Sequence, residues 1–150
     1  MKRFLLVAAA MASVLLVGAS SALANQPAMH FTQDVTGDTL QCGDTTYTIV
    51  SGEVAVVMHE GQSASGNTNF TGTITPRNVV LQDQQGNLYS LRGAIWFGAT
   101  FNANTGGFQA TSTDKFQIVS QGGGTVDSVN AVEHVSPNGK AFLFDFGTCE

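Results

Sequence analysis

From Phe31 to Cys149 apolar and polar residues alternate in steps of two, in a stretch rich in Thr, Val and Phe. This period puts successive side chains on opposite faces of an extended strand, and no helical spacing of apolar residues competes with it. Clusters of Gly, Asn and Asp interrupt the alternation every 12–18 residues or so, as turns do between strands. The pattern predicts strands over residues 31–36, 45–50, 53–60, 69–83, 88–102, 108–121, 125–136 and 140–149. Turns are predicted at 61–66, 83–86, 104–107, 122–124 and 137–139. Consecutive strands joined by short turns make an all-β antiparallel meander of seven to eight strands. Closing it into a small barrel would remove both lateral edges, and a β-sandwich is the alternative.

The turns also predict which residues share a face. Ser136-Pro137-Asn138-Gly139-Lys140 fits a three-residue hairpin loop, which opposes residues of equal parity. Phe142, Phe144 and Phe146 then share a face with Val132 and His134. Read the same way, Gly122-Gly123-Gly124 puts Val126 and Val132 on the face of Phe108, Phe116 and Ile118. On the preceding strand Tyr89, Leu91, Ile95, Phe97 and Phe101 alternate with polar residues.

The chain has two cysteines, Cys42 and Cys149. The first residues carry an export signal: basic Lys2 and Arg3, an apolar run, then Ala22-Leu23-Ala24 as a small-x-small cleavage site. Residues 1–24 are therefore read as a secretory signal peptide and 25–150 as one secreted β domain. The apolar run is shorter than the roughly 20 residues of a membrane span, so no integral membrane segment is expected after cleavage. In an exported chain an even cysteine count reads as a disulfide, here Cys42–Cys149, placed outside a barrel or at its rim. The location expected is extracellular or periplasmic.

Charge narrows the partners. After cleavage four basic residues (Arg77, Arg92, Lys115, Lys140) face eleven acidic ones, a net charge of −7. So few cations exclude a phosphate-backbone patch, and nucleic acid is not an expected partner.

If Phe116 and Phe142 point inward, Ser112, Asp114, Ser128, Asn130 and His134 point inward with them. An eight-stranded interior is filled by side chains or holds one small ligand, and these polar groups would orient a small, largely apolar one. A desolvated Asp114 beside His134 would be an acid–base pair, the alternative reading being a small barrel enzyme of the cyclase or isomerase kind. Against this, a bulge would turn Asp114 outward. His59-Glu60 and Glu133-His134 offer zinc-ligand types, but adjacent strand residues face opposite ways and the set is sparse, so no metal or cofactor is expected. No serine sits in a Gly-x-Ser-x-Gly elbow, which leaves covalent hydrolase chemistry without a nucleophile. Trp96 falls opposite Ile95 and Phe97 and is the natural anchor for a third reading, an extracellular interaction module. Asn69-Phe70-Thr71 matches the N-glycosylation pattern, relevant only in a glycosylating host.

Asn69-Phe70-Thr71-Gly72-Thr73, Asp83 with Gly86-Asn87-Leu88-Tyr89, residues 115–124 (Lys-Phe-Gln-Ile-Val-Ser-Gln-Gly-Gly-Gly) and the closing Cys149 together resemble a family of small secreted bacterial proteins. The resemblance implies export from a bacterium and carries no activity or functional residue with it. The expectation is a secreted, non-enzymatic β-barrel that binds a small apolar ligand or an envelope component.

Overall fold

The computed structural model describes residues 27–138, 141–145 (backbone only) and 149. The expected signal peptide with its cleavage site, and Phe146, lie outside the described residues, as do the side chains of Phe142 and Phe144. Eight strands form one antiparallel sheet: β1 (Met29–Asp34), β2 (Thr39–Cys42), β3 (Thr45–Gln62), β4 (Asn67–Gln82), β5 (Leu88–Asn102), β6 (Gly107–Ser120), β7 (Thr125–Val135) and β8 (Ala141–Asp145). The order is β1-β3-β4-β5-β6-β7-β8, with β2 also on β3. No second sheet and no helix occurs among the described residues.

Two strands expected separately, 45–50 and 53–60, are one. Gly52 lets β3 pass through a bulge at Ile49–Glu53 instead of turning back, because its φ of +124° suits only glycine. Opposite that bulge, β1 and β2 behave as one interrupted strand. Between them Val35 N–H donates to the Gly52 carbonyl, and Gly37 N–H donates to that of Ile49. The β4–β5 hairpin is closed by Asp83. Its Oδ1 accepts the Gln85 and Asn87 N–H groups at 2.9 and 2.8 Å, and its Oδ2 accepts Tyr89 Oη at 2.8 Å.

The sheet is rolled, and its two ends meet at one corner. Tyr47 of β3 donates from its hydroxyl to Asp127 Oδ2 of β7 at 2.7 Å, although β4, β5 and β6 lie between them in the ladder. Around this contact packs the core: Val35, Cys42, Tyr47, Ile49, Val79, Leu81, Ile118 and Cys149. The Tyr47 ring meets Tyr89 edge-on at 5.4 Å. The Cys42–Cys149 disulfide joins the two ends of the sheet there, and Cys149 N–H donates to the Ser128 carbonyl. No ladder joins β8 to β1 or β2 among the described residues, so hydrogen bonding leaves the sheet open at its lateral edges.

Burial and Asp127 together raise the Tyr47 phenol above its ordinary range. Tyr47→Phe is therefore expected to cost about 1.5–3 kcal/mol, the usual worth of a hydrogen bond to a charged acceptor. Chemical denaturation checks this; an unchanged midpoint would mean the contact contributes nothing to holding the sheet rolled.

One expectation about faces needs correction. Phe116 pairs with Val129, Asp114 with Ala131 and Ser112 with Glu133, so β7 presents its odd residues to the core face. The slip arises between Ile118↔Asp127 and Val119↔Thr125, a bulge just after the glycine turn that shifts the register by one residue. Val126, Ser128, Asn130, Val132 and His134 consequently stand on the outer face, opposite Phe116 and Ile118. Val126 is 46% exposed. The second turn keeps the expected parity, pairing Val132 with Phe144 and His134 with Phe142. The disulfide, expected outside a barrel or at its rim, lies buried in the core cluster.

Candidate functional site

On the core-facing side, called inner below, the register lines up side chains across the sheet. One row runs Phe31, Val56, Ile74, Ile95, Asp114, Ala131, from β1 to β7. The row beside it runs Met29, Met58, Gly72, Phe97, Ser112, Glu133. β-Branched and aromatic residues fill the first row from Phe31 to Ile95, as half-buried pleated surfaces favour, while the second is built on two methionines and Phe97. Each row begins apolar on β1 and becomes polar on β6, at Asp114 and Ser112; on β7 the first ends in Ala131 and the second in Glu133. The middle is buried at Val56, Met58 and Ile95, whereas Met29 and Phe31 are each 41% exposed. Gly72 leaves room for the ring opposite: a Cβ there would lie 2.7 Å from Phe97 and closer still to the Val57 carbonyl oxygen.

The polar end is a buried carboxylate. Asp114 is 9% exposed and Ser112 5%, and Asp114 Oδ1 has no hydrogen-bond partner. Burial pushes the Asp114 carboxyl up to about 6; a Ser112 hydrogen bond opposes the rise and the charge of Glu133 adds to it. Folded Asp114 thus holds its proton more tightly than in the unfolded chain. Between pH 3.8 and about 6 the folded state binds more protons, and stability falls as pH rises. After allowance for solvent screening, wild type is expected to lose about 2 kcal/mol relative to Asp114→Asn across that window, and nothing further above it. Urea unfolding of both proteins at several pH values checks this, and parallel pH profiles would contradict it.

His134 does not join Asp114. Its Nδ1 lies 2.8 Å from Thr111 Oγ1, a side chain on the outer face, and Asn130 pairs with outward Lys115. The acid–base pair is therefore not assembled, and the partner that shares Asp114's face is Glu133. Turn chemistry alone places Glu133 outward, because one residue of slip reverses every side chain on β7 beyond the bulge. The signal available was the apolar series Val129, Ala131, Val135, which shares its parity.

Trp96 lies outward between Thr73 and Thr113 and is 47% exposed. The sulfurs of Cys42 and Cys149 and the Asp127 carboxylate lie within 4.8 Å of one another. The sulfurs are bonded together and Asp127 accepts from Tyr47, so this cluster is occupied in holding the corner closed. Among the described residues no helix is long and apolar enough to cross a membrane.

No family model, no curated protein and no solved structure matches the chain.

Proposed function

We propose that this is an exported, non-enzymatic β protein, rolled as a disulfide-closed barrel, whose inner face binds a small, largely apolar ligand. The observation that carries the reading is the pair of inner rows. They begin at exposed Met29 and Phe31, continue through Val56, Ile74 and Ile95, and end at a buried carboxylate without a full set of partners. Large apolar side chains left open beside a few convergent polar groups are the usual make-up of a small-molecule site. The disulfide and the resemblance to secreted bacterial proteins support an extracytoplasmic location.

Titration with the neutral fluorophore N-phenyl-1-naphthylamine tests the reading. Saturable binding is expected, weakened several-fold by Met29→Ala/Phe31→Ala and unaffected by Trp96→Ala. No saturable binding would overturn it. Loss of binding in Trp96→Ala with the β1 variant silent would transfer the role to the outer face, where exposed Trp96 favours an interaction module.

A further inference from the structure

Every basic or imidazole side chain on the described strands occupies an outer-face register position. His30 pairs with Val57, His59 with Thr71, Arg77 with Glu53, Arg92 with Gln117, Lys115 with Ala94 and His134 with Thr111. The inner face meanwhile carries Asp114 and Glu133, diagonal neighbours on β6 and β7 with Ser112 beside both. Two carboxylates therefore share an apolar face to which none of these strand residues brings a positive charge. Asp114 Oδ1 stays unpartnered in a side chain more than nine-tenths buried. Ionised, that oxygen is a buried acceptor without a donor.

We propose that Asp114, Glu133 and Ser112 form the headgroup site for an aliphatic ammonium ion whose hydrocarbon tail lies along Ile95, Ile74, Val56 and Phe31. The proposal rests on the ligand-binding reading above and names the class of ligand. An alkylammonium supplies what the site lacks: three N–H donors and one positive charge on a compact head. Hydrogen bonds from such a cation to carboxylates are among the stronger ones, more so where water is excluded. The tail then follows a row that is apolar from β5 back to the open side at β1. A neutral alcohol would add one uncharged O–H donor to the tail contacts, and a carboxylate would meet two like charges. A hydrated divalent cation fits poorly, because it requires six or more oxygen ligands or its own water shell beside Ile95 and Ala131.

Three ligands of equal tail length separate these terms: n-octylammonium, 1-octanol and octanoate, each titrated calorimetrically into the exported, disulfide-bonded protein at pH 7.5. The expected result is octylammonium binding at least tenfold tighter than octanol, with octanoate weakest. In Asp114→Asn and, separately, Glu133→Gln, the octylammonium-to-octanol affinity ratio should fall towards one. Amide spectra show whether each variant is folded, and either folded variant suffices. Equal affinity of octylammonium and octanol in wild type overturns the proposal while leaving an apolar site standing. A preference that persists in both variants also overturns it, because the charge would then lie elsewhere. Binding of none of the three overturns this proposal together with the ligand-binding reading on which it rests.

Discussion

Replacing Cys42 and Cys149 together by alanine is expected to lower stability by about 4–5 kcal/mol, the largest single effect in this protein. The bond joins residues 107 apart in sequence, so its loss frees nearly the whole domain in the unfolded state. The chain-entropy relation for a loop of that length gives this magnitude. The folded state also depends on the bond for shape. It ties β2 to the chain end at the corner where the ladder itself does not close. Urea unfolding of wild type and the double variant checks the magnitude. Hydrogen exchange should show β2 and the start of β7 losing protection first, with β4 to β6 keeping theirs. A midpoint shift worth under about 1 kcal/mol would mean that packing alone holds the ends together.

Leu81→Ala is expected to cost about 3–5 kcal/mol. Leu81 is completely buried, as is Ile118. It pairs with Ile49 on one side and Tyr89 on the other, all in the core cluster or packed against it. Neighbours held on the two flanking strands cannot collapse far into the space a removed isobutyl group leaves, so the cavity adds to the lost transfer energy. Val126→Ala, on the outer face and 46% exposed, should change stability by about 0.5 kcal/mol or less. Comparing the two by chemical denaturation also tests the register, because without the bulge after Ile118 Val126 would be inside. A large cost at Val126 would contradict the face assignment.

Much of this fold is legible in the residues. The meander, the limits of β5 at Leu88–Asn102 and the inward set Tyr89, Leu91, Ile95, Phe97 follow from alternation and turn chemistry alone. What alternation does not reveal is a bulge, since one extra residue costs little locally yet reverses everything beyond it. Gly52 reads as a break and is a bulge; the register slip opposite Ile118/Val119 has its cue only in the parity of Val129, Ala131 and Val135, which competes with that of Val126 and Val132. That slip decides the candidate site. It removes His134 and Asn130 from the face of Asp114 and brings in Glu133, which turns an acid–base pair into a pair of carboxylates. Ser112 and Asp114 stay inward because β6 follows β5 without interruption. The short β2 is missed because its four residues, Thr39–Cys42, are too few to show a period.

Chemical-shift mapping of the 15N-labelled, disulfide-bonded protein during titration with N-phenyl-1-naphthylamine tests the ligand site most directly. The expected result is a saturable change confined to inner-face positions, with Val56, Ile74, Ile95 and Ala131 moving together. Trp96, Thr73 and Thr113 on the outer face should stay still. Shifts centred on Trp96, or none that saturate, would contradict an inner face built to receive an apolar ligand.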